Sequence, residues 1–394
     1  MEHFAPHPGS GFEGFYSKFD LPSGARIALI ICTVPGAKQK PHKVSFTYVP
    51  RTTNEYFQRQ LWPGDMEMVK TSDDGSFELR APGIGYMAVD RNSITSYSIK
   101  HEEFTFTGKT TTHLPWSTST STPEGPLVYL PLPLHWHVQS LGSQCDFELS
   151  IPSFPHVAPE DASGTATVHQ EKNWANSFPS AHIWIQARDG PGPYGTSDPA
   201  RTSTSTESTV STSKSNPYRS ICIAGGQIIG TEAYLLGYRS TSHPSCTPAN
   251  PIYELDFRPP FAMRLLGASP SLTVKPSFKD RSFALSARNW FSRIDVEAKS
   301  DPATFFPLSS PFADGHRDNF LAQSFRAEIK VRVYEWVWGS RWWDLRGWWT
   351  GEGVEGVEGV GRWECKEETV FRDGSLEFGG GYYDWAGSKT KRAR

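Results

Sequence analysis

Short stretches of alternating apolar and polar residues dominate the chain, and helical periodicity is hard to find. The clearest example runs from Phe325 to Val333, where apolar residues occupy the odd positions and Arg, Glu or Lys the even ones. Side chains of a β-strand point alternately to its two faces, so this pattern predicts a strand with one buried face. Similar runs recur between clusters of Gly, Pro, Asn and Asp, which is typical of an all-β sandwich or barrel.

A polar, low-complexity stretch divides the chain. Residues 188–217 are rich in Ser, Thr, Gly and Pro and almost free of large apolar side chains. Such a stretch cannot bury enough surface to offset the entropy of ordering it, so we predict a linker or loop there. The chain then divides into four predicted parts, namely an N-terminal domain (1–190), the linker (191–217), a C-terminal domain (218–386) and a basic tail (387–394).

Composition and charge narrow the classes of function. The 394 residues carry a formal net charge of −3 and no prominent stripe of Lys and Arg, so we expect no nucleic acid partner. The five cysteines are far apart and form no Cys-x-x-Cys pair, which predicts free thiols. The first residues lack the basic and apolar parts of a secretory signal, and the longest apolar run, Ile27–Val34, is too short to span a bilayer. We expect an intracellular protein, soluble or peripherally associated with a membrane.

Three predicted strands carry rows of hydrogen-bonding side chains mixed with aromatic ones. Strand parity groups the rows as His169, Glu171 and Asn173; His182, Trp184 and Gln186; and His135, His137 and Gln139. Rows of this kind are typical of a small-molecule site if they point into a barrel, and we predict that they do. The alternative is that they form the solvated face of an antiparallel sheet.

Other chemistries find less support in the sequence. His135 and His137 could bind a metal from one strand face, but no carboxylate follows them closely, so we predict no metal. No Gly-x-Ser-x-Gly elbow and no Gly-x-Gly-x-x-Gly unit between a strand and a helix is present, so neither a nucleophilic triad nor a nucleotide cofactor is expected. The segment 334–349 holds six tryptophans; we interpret it as a packed hairpin, with contact to lipid or a partner as the alternative.

Several segments resemble the tocopherol cyclase-like family, in order along nearly the whole chain. "FEGFYSK" begins at Phe12, "LPLHWHVQSLGS" at Leu132 and "EKNWANSFPSAHIWIQ" at Glu171, and "FFPLSSPFADG" and "LEFGGGYY" follow near the end. The third segment is the most specific. The chain departs from the family pattern at four positions, where it carries Phe15, Gln139, Ala175 and His182, which indicates a divergent member.

The resemblance implies an all-β fold of two lipocalin-like antiparallel β-barrels in tandem. It also implies a cofactor-independent reaction, in which a proton adds to the alkene of a prenylated hydroquinone and the phenol oxygen closes a chromanol ring. The partner would be a hydrophobic small molecule. The alternatives are a lipocalin-like carrier without turnover and another cofactor-free transformation of a natural product.

Residue roles follow from that chemistry as hypotheses. Glu171 is the expected proton donor, or the group that orients His169, because burial can keep a carboxyl group protonated. Lys172 could instead pair with Glu171 and keep it ionised, in which case the motif is structural. The remaining candidates are assigned to cation stabilisation (Trp174 and Trp184) or to binding substrate (Asn173, Gln186, His182, His135, His137 and Gln139).

Overall fold

The computed structural model describes residues 3–176, 178–190, 217–228, 230–339 and 361–383. These residues form 22 strands and three short 3₁₀ turns at Gly125–Tyr129, Pro159–Asp161 and Pro302–Thr304, with no α-helix among them. The all-β prediction is therefore confirmed. Most of the predicted linker, the basic tail and the second half of the Trp-rich segment lie outside the described residues.

The first eleven strands form one antiparallel sheet in the order β4-β3-β2-β1-β11-β10-β9-β8-β7-β6-β5. The sheet curls into a barrel, because Phe46 on β3 stacks on Phe104 on β9 with ring centroids 4.4 Å apart although these strands are far apart in the sheet order. The strands are β1 (Phe12–Asp20), β2 (Arg26–Thr33), β3 (His42–Val49), β4 (Phe57–Leu61), β5 (Glu67–Lys70), β6 (Phe77–Ala81), β7 (Gly85–Val89), β8 (Thr95–His101), β9 (Phe104–Thr110), β10 (Leu134–Ser150) and β11 (Ser163–Ala175).

The other eleven strands form a second antiparallel sheet with a central order β15-β14-β13-β12-β22-β21-β19-β18-β17. It curls in the same way, since Tyr234 on β14 reaches Phe283 on β18. The strands are β12 (Ala181–Asp189), β13 (Arg219–Ile228), β14 (Thr231–Ser240), β15 (Tyr253–Phe257), β16 (Met263–Leu265), β17 (Leu272–Ser277), β18 (Ser282–Arg288), β19 (Ser292–Lys299), β20 (Phe306–Phe312), β21 (Gly315–Val337) and β22 (Arg362–Gly380). The predicted pair of antiparallel barrels is confirmed.

The strand β12 belongs to the second sheet. It hydrogen-bonds to β13 and β22, whereas the predicted N-terminal domain extended to residue 190 and would have included it. The first sheet ends with β11 at Ala175. The division into domains stays a prediction, but the change of sheet occurs within the "EKNWANSFPSAHIWIQ" segment.

The two sheets pack on each other through outer faces. Trp184 on β12 joins Trp136 and Val138 on β10 in one apolar cluster, and Phe306 and Phe325 of the second sheet join β2 and β3 in another. The polar rows of β11 and β12 lie between these clusters. They are therefore buried between the barrels, not inside one barrel as the sequence suggested.

Two further expectations concern the whole chain. All five cysteines are free thiols, as predicted. Within the described ranges, we find no helix with the length and apolar character needed to cross a membrane.

Candidate active site

A cavity of about 80 Å³ lies between the two sheets. Strands β1, β2, β3 and β11 form one wall, and β12, β20, β21 and β22 form the other. The wall is mainly apolar. Its side chains capable of proton transfer or hydrogen bonding are Tyr16, Lys43, Glu171, Asn173, His182, Trp184, Ser309, Ser310, Gln323 and Glu377.

Glu171 reaches this cavity from the outer face of β11. Its side chain is almost fully buried, and Oε2 accepts a hydrogen bond from Trp184 Nε1 at 2.9 Å and lies 3.1 Å from His169 Nε2. Among the described residues no lysine or arginine pairs with this carboxyl group, and Oε1 has no hydrogen-bond partner. Oε1 is therefore the oxygen available to a bound molecule.

The environment of His169 indicates which tautomer it adopts. Its Nδ1 atom is buried without a hydrogen-bond partner. A proton on Nδ1 would therefore be a buried, unsatisfied donor, which is costly. The neutral tautomer with its proton on Nε2 avoids this cost and donates to Glu171 Oε2. With Oε2 already accepting two hydrogen bonds, a proton bound by Glu171 resides on Oε1, facing the cavity.

A second carboxyl group, Glu377 on β22, lines the same cavity. Its Oε1 lies 3.3 Å from His182 Nε2, and its Oε2 accepts a hydrogen bond from Gln323 at 3.1 Å. Both oxygens are thus occupied, in contrast to Glu171. Sequence reasoning missed Glu377, although it lies in the "LEFGGGYY" segment that carries part of the family resemblance.

Tyr16 on β1 was also missed by the sequence reasoning. Burial raises its pKa well above the ordinary value, and the charges of Glu377 and Glu171 raise it further. Its ring packs edge-on against Trp184, with centroids 5.1 Å apart. Tyr16 therefore stays a neutral phenol and adds a second aromatic ring beside Glu171.

Gln186 and Asn173 differ in their relation to the cavity. Asn173 lines it, as its place in the row with Glu171 predicts. Gln186 accepts a hydrogen bond from Lys18 Nζ at 2.8 Å, and Lys18 also pairs with Asp20. Burial lowers the pKa of Lys18 to about 8, against the opposing charge of Asp20. This contact connects the two sheets beside the cavity.

Lys172 and Trp174 point to the opposite side of β11. Lys172 Nζ pairs with Glu13 Oε1 at 2.5 Å and not with Glu171. Trp174 stacks between His7 and His135, with ring centroids 4.1 and 4.9 Å away. The structure therefore separates both residues from Glu171, which strand parity explains because even-numbered positions of β11 face into the first barrel.

The predicted row on β10 shares that inner side. His135 bonds Glu124 at 2.9 Å, and His137 bonds Gln139 at 3.2 Å. Burial lowers the pKa of His137 to about 3, so this imidazole is neutral at neutral pH. His135, His137 and Gln139 are absent from the cavity wall that holds Glu171.

Comparisons with known proteins give structural similarity alone. No protein-family model and no curated protein matches the sequence. Among solved structures, CghA with Sch210972 gives a TM-score of 0.46 at 9% identity, covering 95% of this chain and 93% of that one. An AttH protein described as putative, from Nitrosomonas europaea, gives 0.44 at 12% identity with 96% and 95% covered. Kievitone hydratase from Nectria haematococca gives 0.43 at 11% identity with 97% and 92% covered. The resemblance to the tocopherol cyclase-like family stays a prediction.

Proposed function

We propose that the cavity between the barrels is the active site of a cofactor-independent cyclase acting on a prenylated hydroquinone or a related isoprenoid. The observation that carries this proposal is Glu171 Oε1, a buried carboxyl oxygen that lines the cavity with no hydrogen-bond partner among the described residues. Protonating an alkene requires an acid in a dry site, and a buried carboxyl group is suited to it.

The reaction conserves atoms and electrons. Glu171 Oε1 gives its proton to the less substituted alkene carbon, and the π electrons form the new C–H bond. The tertiary cation that remains is captured by the phenol oxygen, which forms the C–O bond, and the phenol proton returns to the carboxylate. The faces of Trp184 and Tyr16 stabilise the cation electrostatically.

The size of the cavity limits how a substrate enters. Pockets for drug-sized ligands usually hold about 300–1,000 Å³, whereas this cavity holds about 80 Å³. A prenylated substrate therefore has to displace lining side chains. Phe178 is the natural candidate, since it lies on the connection between β11 and β12, is half-buried and packs on Phe12, Phe312 and Phe320.

Solvent deuterium tests the proposal directly. The purified protein is incubated with a prenylated hydroquinone in D₂O under reducing conditions, and the products are separated and weighed by mass spectrometry. We expect a chromanol with one non-exchangeable deuterium, because the exchangeable proton of Glu171 ends on carbon. A ring closed without deuterium on carbon contradicts proton initiation. Saturable binding without product favours the carrier alternative.

Filling the cavity separates activity from folding. Gly14 lies on its floor, its backbone is outside the left-handed region, and an added Cβ meets only Cys32, at 3.4 Å from Sγ. We expect Gly14→Val to reduce turnover at least tenfold while the free energy of unfolding stays equal or rises by about 0.5–1 kcal/mol, since glycine weakens a strand. Gly36→Val, at a glycine with open space around it, is the control. Unchanged turnover in Gly14→Val would place the reaction elsewhere.

A further inference from the structure

The cavity has a second polar end, formed by Lys43 on β3. Its side chain is buried, and Nζ donates to the Ser309 backbone oxygen at 2.7 Å and to Ser309 Oγ at 3.1 Å. Among the described residues no carboxylate lies within ion-pair distance of it. A buried ammonium group normally has an anionic partner, because its desolvation is expensive. Lys43 therefore has hydrogen bonds but lacks a counter-charge.

The neighbouring groups do not supply that charge. Cys32 is the cross-strand neighbour of Lys43, but burial raises the pKa of its thiol to about 12, so it stays neutral. Ser310, next to Ser309 on β20, is fully buried and lines the cavity, and its Oγ has no hydrogen-bond partner. An ammonium without an anion and a hydroxyl without a partner thus lie on the same cavity wall.

Strand register gives the distance between the two ends. Asn173, Gly14, Cys32 and Lys43 are successive partners across β11, β1, β2 and β3. Three strand spacings of 4.7–4.9 Å separate the backbone of Lys43 from that of Asn173 by about 14 Å. Glu171 lies two residues from Asn173 on the same face of β11. Gly14 and Cys32, both small, form the floor between the two ends.

We propose that the substrate of this site carries an anionic oxygen group, a carboxylate or an ionised enol, which Lys43 and Ser310 bind while Glu171 protonates an alkene at the other end. The inference rests on the proposed function for the role of Glu171, and on the cavity geometry alone for the anion site. The anion supplies the missing counter-charge of Lys43 and accepts the hydrogen bond that Ser310 is free to donate. An acidic group thus defines which isoprenoids fit and in which direction they bind.

A matched pair of small ligands tests this charge preference. Geranic acid and geranamide have nearly the same shape, but only the first is an anion at pH 7. We expect calorimetry to show wild-type protein binding geranic acid at least tenfold more tightly than geranamide. Lys43→Met should remove this difference, and Ser310→Ala, which removes no contact within the protein, should reduce it severalfold. Lys109→Met, at an exposed lysine, should preserve it.

Several results would overturn the proposal. They are equal affinities in the wild type, no measurable binding of geranic acid, and a preference that survives in both Lys43→Met and Ser310→Ala. Equal affinities together with a lowered urea midpoint for Lys43→Met would identify Lys43 as a structural tie between β3 and β20. A clear preference for the acid without deuterium incorporation would leave the anion site standing and reject the cyclase. Deuterium incorporation without the preference would do the reverse.

Discussion

Glu171→Gln is expected to lower the turnover number by about 10²–10⁴, the usual contribution of a positioned general acid. The amide has the same shape, and its oxygen can accept the hydrogen bonds of Trp184 and His169. Its nitrogen then faces the cavity in place of Oε1, and an amide has no proton acidic enough for an alkene. Substrate affinity should change little, because the wall keeps its shape. Turnover and KM are measured on the same preparation, with the unfolding midpoint to verify folding.

Two variants make the Glu171 result specific. Glu102→Gln makes the same chemical change at an exposed turn and should keep wild-type turnover. Glu377→Gln changes the second carboxyl group of the cavity, both of whose oxygens are already hydrogen-bonded. If Glu171→Gln retains turnover and Glu377→Gln loses it, Glu377 is the proton donor and the assignment to Glu171 is wrong.

Strand parity explains why part of the site could be predicted from sequence. Alternation along "TATVHQEKN" places His169, Glu171 and Asn173 on one face, and the structure finds all three on the outer face of β11. Alternation along "AHIWIQA" places His182 and Trp184 together, and both lie across the cavity from Glu171. Parity is local, so one segment is enough to determine it.

The partner of each face could not be predicted in the same way. Parity does not reveal that β12 leaves the first sheet, so the rows of β11 and β12 meet between barrels. Glu377 and Lys43 are about 206 and 128 residues away from Glu171 in the sequence, and only the packing of the sheets brings them to one cavity. Trp174 was grouped with Glu171 because the motif is compact, although parity itself places Trp174 with Lys172.

Lys172 presents the clearest difference between a motif residue and a residue of the cavity. Its ammonium group is fully buried in the first barrel, where it pairs with Glu13, donates to the backbone oxygens of Phe4 and Ala5, and contacts His7. Burial lowers its pKa to about 8, against the opposing charge of Glu13. Burial also raises the pKa of Glu13, but the hydrogen bond from His7 and the charge of Lys172 outweigh it and lower the pKa overall.

Lys172→Met is therefore expected to reduce the free energy of unfolding by about 3–5 kcal/mol, since it leaves the Glu13 carboxylate buried without its cation. Urea titration measures the loss. The double variant Lys172→Met/Glu13→Gln should recover most of it, because the buried charge is removed with its partner. Glu13→Gln alone, which leaves Lys172 unpaired, should also destabilise the protein. A loss below about 1 kcal/mol for Lys172→Met together with lost turnover would contradict this account and return Lys172 to the reaction. The "EKNW" motif would then serve catalysis from both faces of β11, instead of chemistry from one face and barrel stability from the other.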